Sequence, residues 1–121
     1  TRDFTYNDDI VEGVIRTLDR VPGADPDYDP LAPTPASSLA PYWVYNIDNR
    51  QQGELLRYIE VLEDCLGRKA EKRLLPLQPG DVPDTYADVE ALSRDTGYSP
   101  STPIETGVRR FAEWYRAFYQ A

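Results

Sequence analysis

Six of the chain's eleven prolines lie between Pro22 and Pro41, and no other stretch limits the fold as strongly. Each proline removes a backbone donor and pushes its predecessor towards extended geometry, so residues 22–41 hold neither a regular helix nor a central strand. With Asp25, Asp27, Asp29, Ser37 and Ser38 interspersed, they read as a long surface loop of the kind that serves as lid, linker or insertion. Tyr28 and Leu31 are its candidate anchors. The rest of the 121 residues must supply the core, which is enough chain for one domain and not for two.

Before the loop, Arg2-Asp3-Phe4-Thr5-Tyr6-Asn7-Asp8-Asp9 leads straight into Ile10-Val11-Glu12-Gly13-Val14-Ile15. A short extended segment, Phe4–Tyr6, is expected to turn into a helix from about Asp9 to Asp19, with Ile10, Val11, Val14, Ile15 and Leu18 as its buried stripe. Asp8 and Asp9 suit the orphan N–H groups of a first turn, and Asp9 with Glu12 has capping-box spacing. Arg2 then stands beside free backbone donors, a place that suits a phosphate or carboxylate; an Arg–Asp pair next to an ordinary cap fits the same residues.

After the loop, Tyr42–Ile47 is aromatic and β-branched and predicts a strand. A helix follows from about Gln52 to Leu66, its stripe Leu55, Leu56, Ile59, Leu62 and Leu66, with Gly67 as a left-handed stop. Arg68, Lys69, Lys72 and Arg73 read as partners of that helix's negative end and as solvated surface. Arg73–Leu77 predicts a short edge strand because of Pro76. Gln78–Pro83 reads as a turn. Val89–Thr96 predicts a short helix between Asp88 and Gly97. Thr102-Pro103-Ile104-Glu105 opens a final helix, with Ile104, Val108, Phe111, Tyr115 and Phe118 expected in the core. This alternation is α/β: about four helices with two or three short strands, too few for an unaided doubly wound sheet.

The net charge of −8 comes with scattered basic residues, which excludes a nucleic-acid stripe and a polybasic membrane contact. No apolar run approaches the roughly 20 residues of a spanning helix. A single cysteine, Cys65, forms no internal disulfide, and without histidine neither a zinc site nor a Ser-His-Asp triad is expected. A cytoplasmic location is the default expectation. The chain lacks methionine and opens within a motif at Thr1, so we expect a piece of something longer.

Three separated stretches carry a resemblance: Arg2-Asp3-Phe4-Thr5-Tyr6-x-Asp8-Asp9; Tyr45-Asn46-Ile47; and Gln78-Pro79-Gly80-Asp81 with Tyr86-Ala87-Asp88, Pro103-Ile104-Glu105-x-Gly107 and Trp114-Tyr115. In this order the chain resembles the C-terminal, substrate-binding part of NAD-dependent nucleotide-sugar epimerases and dehydratases, the extended short-chain dehydrogenase/reductases, most nearly bacterial UDP-glucuronate 4-epimerases. The resemblance implies a parent isomerase whose N-terminal Rossmann domain carries a Gly-rich NAD loop and a catalytic Tyr-x-x-x-Lys pair. The chemistry it implies is transient oxidation of the sugar C4 hydroxyl and return of the hydride to the other face. Neither the Gly-rich motif nor the Tyr-x-x-x-Lys spacing occurs here, so the chain by itself is expected to be inactive, to bind no NAD and to hold no catalytic residue.

Carried over position by position, Arg2 matches the arginine that meets the diphosphate, and Asp81 a residue that meets the nucleoside ribose. Gly80 lets the backbone approach, and Gln78 stands where many relatives have a second arginine. Glu54 could reach the nucleoside from a helix start, whereas Asn46 reads as structural. Asp48 replaces a usual glycine and Asn7 a usual apolar residue. The implied partners are a UDP-sugar and the Rossmann domain; a monomer, or a homo-oligomer paired through uncovered apolar surface, both fit. Two other readings fit too: a sugar-nucleotide dehydratase or decarboxylase of the same family, and an independent acidic protein-interaction module.

Overall fold

The computed structural model describes residues 1–120. Its elements are β1 (Arg2–Asp3), α1 (Asn7–Leu18), β2 (Gln52–Gly53), α2 (Leu55–Leu66), α3 (Glu90–Thr96) and α4 (Ile104–Tyr119). β1 and β2 pair antiparallel, Arg2 opposite Gly53 and Asp3 opposite Gln52. The largest helix–helix contact is α2 on α4, and α1 rests on α3. The α/β class with four helices and short strands is as expected.

The core is small. Val61 of α2 is buried with Val108 and Ala112 of α4, while Val89 and Leu92 are buried at α3. On α1 the buried residue is Gly13, where a Cβ would lie 3.2 Å from Ile47 and 3.6 Å from Tyr98; glycine is what lets these side chains press onto the helix.

Polar bonds tie these pieces together across long stretches of sequence. The Asp9 carboxylate accepts from the Ser101 and Thr102 backbone N–H groups at 3.2 and 2.9 Å and from the Thr102 hydroxyl at 2.8 Å. Asp9 therefore does not cap its own helix: α1 starts after Tyr6 with no side-chain cap. Thr102, in turn, does not cap α4, because its hydroxyl is spent on Asp9. Asn49, only 4% exposed, donates Nδ2–H to the Thr102 carbonyl at 3.0 Å. A half-buried carboxylate from the first turn of α1 and a buried amide from the 48–50 turn thus fix the entry to α4.

Several sequence expectations are corrected. The extended segment pairs at Arg2–Asp3 rather than Phe4–Tyr6. Tyr42–Ile47 forms no strand, only a single bridge from Trp43 to Ser37, and Arg73–Leu77 is exposed and unpaired among the described residues. Strand propensity is expressed only where a neighbouring backbone supplies partners, and here each segment lacks one. The α1 stripe is open, with Ile15 51% and Leu18 76% exposed, because a two-strand sheet offers no face to cover it. On α4, Phe111, Tyr115 and Phe118 are not core. With Trp114 and Tyr119 they form an exposed ladder whose rings pack on one another, Trp114 on Phe118 at 5.4 Å and Tyr115 on Tyr119 at 4.7 Å.

The proline-rich loop folds back on itself. Ser37 donates to the Asp25 carboxylate at 2.5 Å, Asp25 N–H to the Ser38 carbonyl at 2.9 Å, and the Trp43 indole to the Gly23 carbonyl at 2.9 Å. Leu31 is 95% exposed and anchors nothing.

Gly67 and Gly97 take φ of +67° at the ends of α2 and α3, as the sequence predicts. Beyond Gly67, Lys69 and Lys72 close on the buried Glu63 carboxylate at 3.0 and 2.5 Å, and Ala70 N–H adds a bond at 2.9 Å. These lysines serve one carboxylate rather than the helix end. The Lys72 ammonium first, then the Ala70 N–H and Lys69, hold the Glu63 carboxyl down to about 2.

Two expectations follow. Asp9→Ala should cost about 2 kcal/mol in urea unfolding, the loss of charged bonds to three donors, whereas Asp8→Ala should stay within about 0.5 kcal/mol. Because Glu63 is depressed in the folded state, its stabilisation is present above its ordinary carboxylate range and is lost as pH falls towards about 2. Acid titration of Glu63→Gln should therefore show a shallower loss of thermal midpoint than the parent chain.

Candidate functional site

Arg2 is placed by β1, whose pairing with Gly53 fixes where its side chain leaves the sheet. The guanidinium reaches the segment after the 78–81 turn: Nη2 donates to Asp81 Oδ1 at 3.1 Å and Nη1 to the Pro83 carbonyl at 2.9 Å. Residues 79 positions apart in sequence are thus brought into contact. Both side chains remain partly open to solvent, 34% for Arg2 and 49% for Asp81.

The turn itself is local chemistry. Asp81 N–H donates to the Gln78 carbonyl at 3.1 Å, and Asp81 Oδ1 accepts from Val82 N–H at 2.9 Å. Gly80 sits at φ +89°, a backbone conformation that disfavours a side chain although nothing lies within 4 Å of its Cβ position. The Gln78 side chain is exposed. The segment is held against the sheet beyond the turn, where Thr85 Oγ1 accepts from Asp3 N–H at 3.2 Å and its carbonyl from Gln52 Nε2 at 3.1 Å.

Arg2, Gln78, Gly80 and Asp81 therefore share one region. Glu54 opens elsewhere. It follows β2 as the residue before α2, without capping it, and lines a groove of about 450 Å³ with Gln51, Gln52, Arg57 and Glu105. Arg57 is tied there to Glu105 at 3.0 Å. That groove includes no residue of the 78–83 segment. Asn46 donates to the Asp88 carbonyl at 3.0 Å, a structural bond as expected.

A second cavity, of about 350 Å³, lies where the β1–α1 junction meets α2 and α4, and sequence reasoning did not find it. Phe4, Tyr6, Tyr58 and Phe111 line it, and Phe4 stacks on Tyr58 with ring centroids 4.8 Å apart. Its visible signal was the alternation of Phe4 and Tyr6 along an extended segment, which puts both rings on one side.

The same geometry tests the fit of a dinucleotide. Among the described residues, the glycines with positive φ close α2 and α3 or sit in the exposed 78–81 turn. None begins a helix behind a strand, the arrangement on which a dinucleotide's pyrophosphate commonly sits.

No family model matches the chain. It is 52% identical to a 37.6 kDa protein of Escherichia coli O111:H- and 44% identical to the protein CapI of Staphylococcus aureus, in each case over 98% of this chain and 36% of the relative. It is 41% identical to a probable UDP-glucuronate 4-epimerase of Rhizobium meliloti, over 99% of this chain and 36% of that protein. The chain thus spans about a third of the length of these relatives. In fold it matches the crystal structure of UDP-glucuronic acid 4-epimerase from Bacillus cereus in complex with NAD, with a TM-score of 0.68 and 25% identity over 98% of this chain and 30% of that one. A Tyr-to-Phe mutant of that enzyme, in complex with UDP-4-deoxy-4-fluoro-glucuronic acid and NAD, matches with a TM-score of 0.71 and 26% identity over 97% of this chain and 32% of that one.

A partly exposed pair contributes little by itself. A double-mutant cycle on Arg2→Ala and Asp81→Ala should give a coupling of about 0.2–1 kcal/mol in unfolding, shrinking as salt is raised. A coupling of several kcal/mol would mean that the pair is structural rather than free to exchange partners.

Proposed function

We propose that this chain, homologous over nearly its whole length to UDP-glucuronate 4-epimerases, is the part of such an enzyme that holds the UDP portion of a nucleotide-sugar. The observation that supports this most is the meeting of Arg2 with Asp81. Two places 79 positions apart in the sequence converge on a solvent-accessible spot that pairs a cation with an acceptor carboxylate. A UDP group needs that combination: a guanidinium for the diphosphate and an acceptor for ribose hydroxyls.

In this reading the empty site keeps Arg2 neutralised by Asp81. An arriving diphosphate takes over the guanidinium, and the released carboxylate turns to the ribose. The exchange limits the gain, since the ligand replaces an existing ion pair. Gly80 provides a bare backbone at the turn, and Gln78 offers hydrogen bonds without charge. NAD, where the parent enzyme binds it, supplies reversible acceptance of a hydride. That step belongs to the portion of the relatives that the chain does not span. One charged bond is worth about 1.5–3 kcal/mol against the roughly 8 kcal/mol of a micromolar complex, so the chain alone is a weak binder.

Isothermal titration of UDP-glucuronate into the full-length gene product tests the reading. Arg2→Ala should weaken binding by about 10- to 100-fold, and Arg2→Lys by less, because the charge survives. Equal affinity in Arg2→Ala and the parent would overturn the diphosphate role.

A further inference from the structure

Asp3 and Asp48 form an acidic pair that no reading of the nucleotide site uses. The Asn49 backbone N–H donates to Asp3 Oδ1 at 3.2 Å and to Asp48 Oδ1 at 3.0 Å, so two carboxylates crowd one donor. Asp48 Oδ1 also accepts from the Thr5 hydroxyl at 2.6 Å. Asp3 Oδ2 is buried and has no hydrogen-bond partner among the described residues. A buried carboxylate oxygen without a donor is costly, unless it carries a proton and becomes the donor itself.

Among the described residues, no cation forms an ion pair with either carboxylate. The Arg2 guanidinium is turned to Asp81 and Pro83, and the Arg50 guanidinium lies 3.6 Å from Glu90. Arg50, held at φ +58°, gives Asp3 only its backbone N–H. From the sheet and from the segment after the 78–81 turn the neighbours are Gln52 and Thr85, both uncharged. Asp9, in the first turn of α1, is spent on Ser101 and Thr102.

We propose that Asp3 and Asp48 hold one proton between them, and that this proton fastens β1, and with it the base of Arg2, to the 48–50 turn. The proton sits on Asp3 Oδ2 and is donated to the Asp48 carboxylate, whose charge the Thr5 hydroxyl and the Asn49 N–H stabilise. Burial, then the charge and hydrogen bond of Asp48, push the Asp3 carboxyl above its ordinary value, while the N–H groups of Arg50 and Asn49 pull it down. With the folded value raised, the stabilisation is present at acid pH and is lost as pH rises through the raised value, where two unscreened negative charges face each other. The device does not depend on which ligand Arg2 receives.

Carbon-13 NMR of the aspartate carboxyl groups across pH tests it on the chain itself. Asp3 should titrate above the ordinary aspartate midpoint. In Asp48→Asn the Asp3 proton affinity should fall at least tenfold, one unit on the pH axis. Asp48→Gly should act in the same direction and serves if the first variant does not fold. An ordinary Asp3 midpoint in the parent chain overturns the proposal. So does a raised midpoint that neither variant moves, which would leave burial as the sole cause.

Discussion

The fold depends on polar bonds that join segments far apart in sequence more than on its apolar core. Among the described residues, Val61, Val89, Leu92, Val108 and Ala112 make a thin core for a chain of this length, while Asp9 and Asn49 both grip Thr102, and Asn49 also touches the Asp3 carboxylate. Each of these bonds is directional, so together they set the angle at which α4 leaves the sheet end and the distance between the β1–α1 junction and α2. A chain organised in this way keeps its shape through a few satisfied donors. It is correspondingly exposed to the loss of any one of them.

The candidate site inherits that logic. Arg2 is neither deep nor rigidly enclosed, but its backbone is fixed on both sides: by Gly53 across the ladder and by Thr85, which accepts from the next residue. The guanidinium at the end of that fixed backbone is half-exposed and bonded to Asp81 and to the Thr1 and Pro83 carbonyls. The 78–81 turn complements it, since Gly80 sets the backbone direction and Asp81 closes the turn on Gln78.

What could be read in the sequence divides along physical lines. The ends of α2 and α3 were legible because a left-handed glycine after an apolar periodic run is a local signal. The Asp9 cap was misread for the opposite reason: a carboxylate at a helix start can serve its own helix or another, and only the packing of residues 98–102 decides which. Tyr42–Ile47 has strand composition, but its backbone pairs with Ser37 and Ala36 alone among the described residues, a partner supplied by the proline-rich loop and too short to build a ladder. The open stripes of α1 and α4 show the same limit, because periodicity says which face is apolar and not whether anything covers it. The approach of Arg2 to Asp81 was not visible in spacing at all and was reached only through the family resemblance.

The two tryptophans stand in contrasting surroundings. The Trp43 ring is pinned by its indole N–H at the root of the proline-rich loop, and Trp114 lies in the open aromatic row of α4. Emission colour should therefore separate the two events a spectroscopist would want to follow: a red shift from Trp43 would report the loop unfastening, and a blue shift from Trp114 would report water leaving the outer face of the last helix.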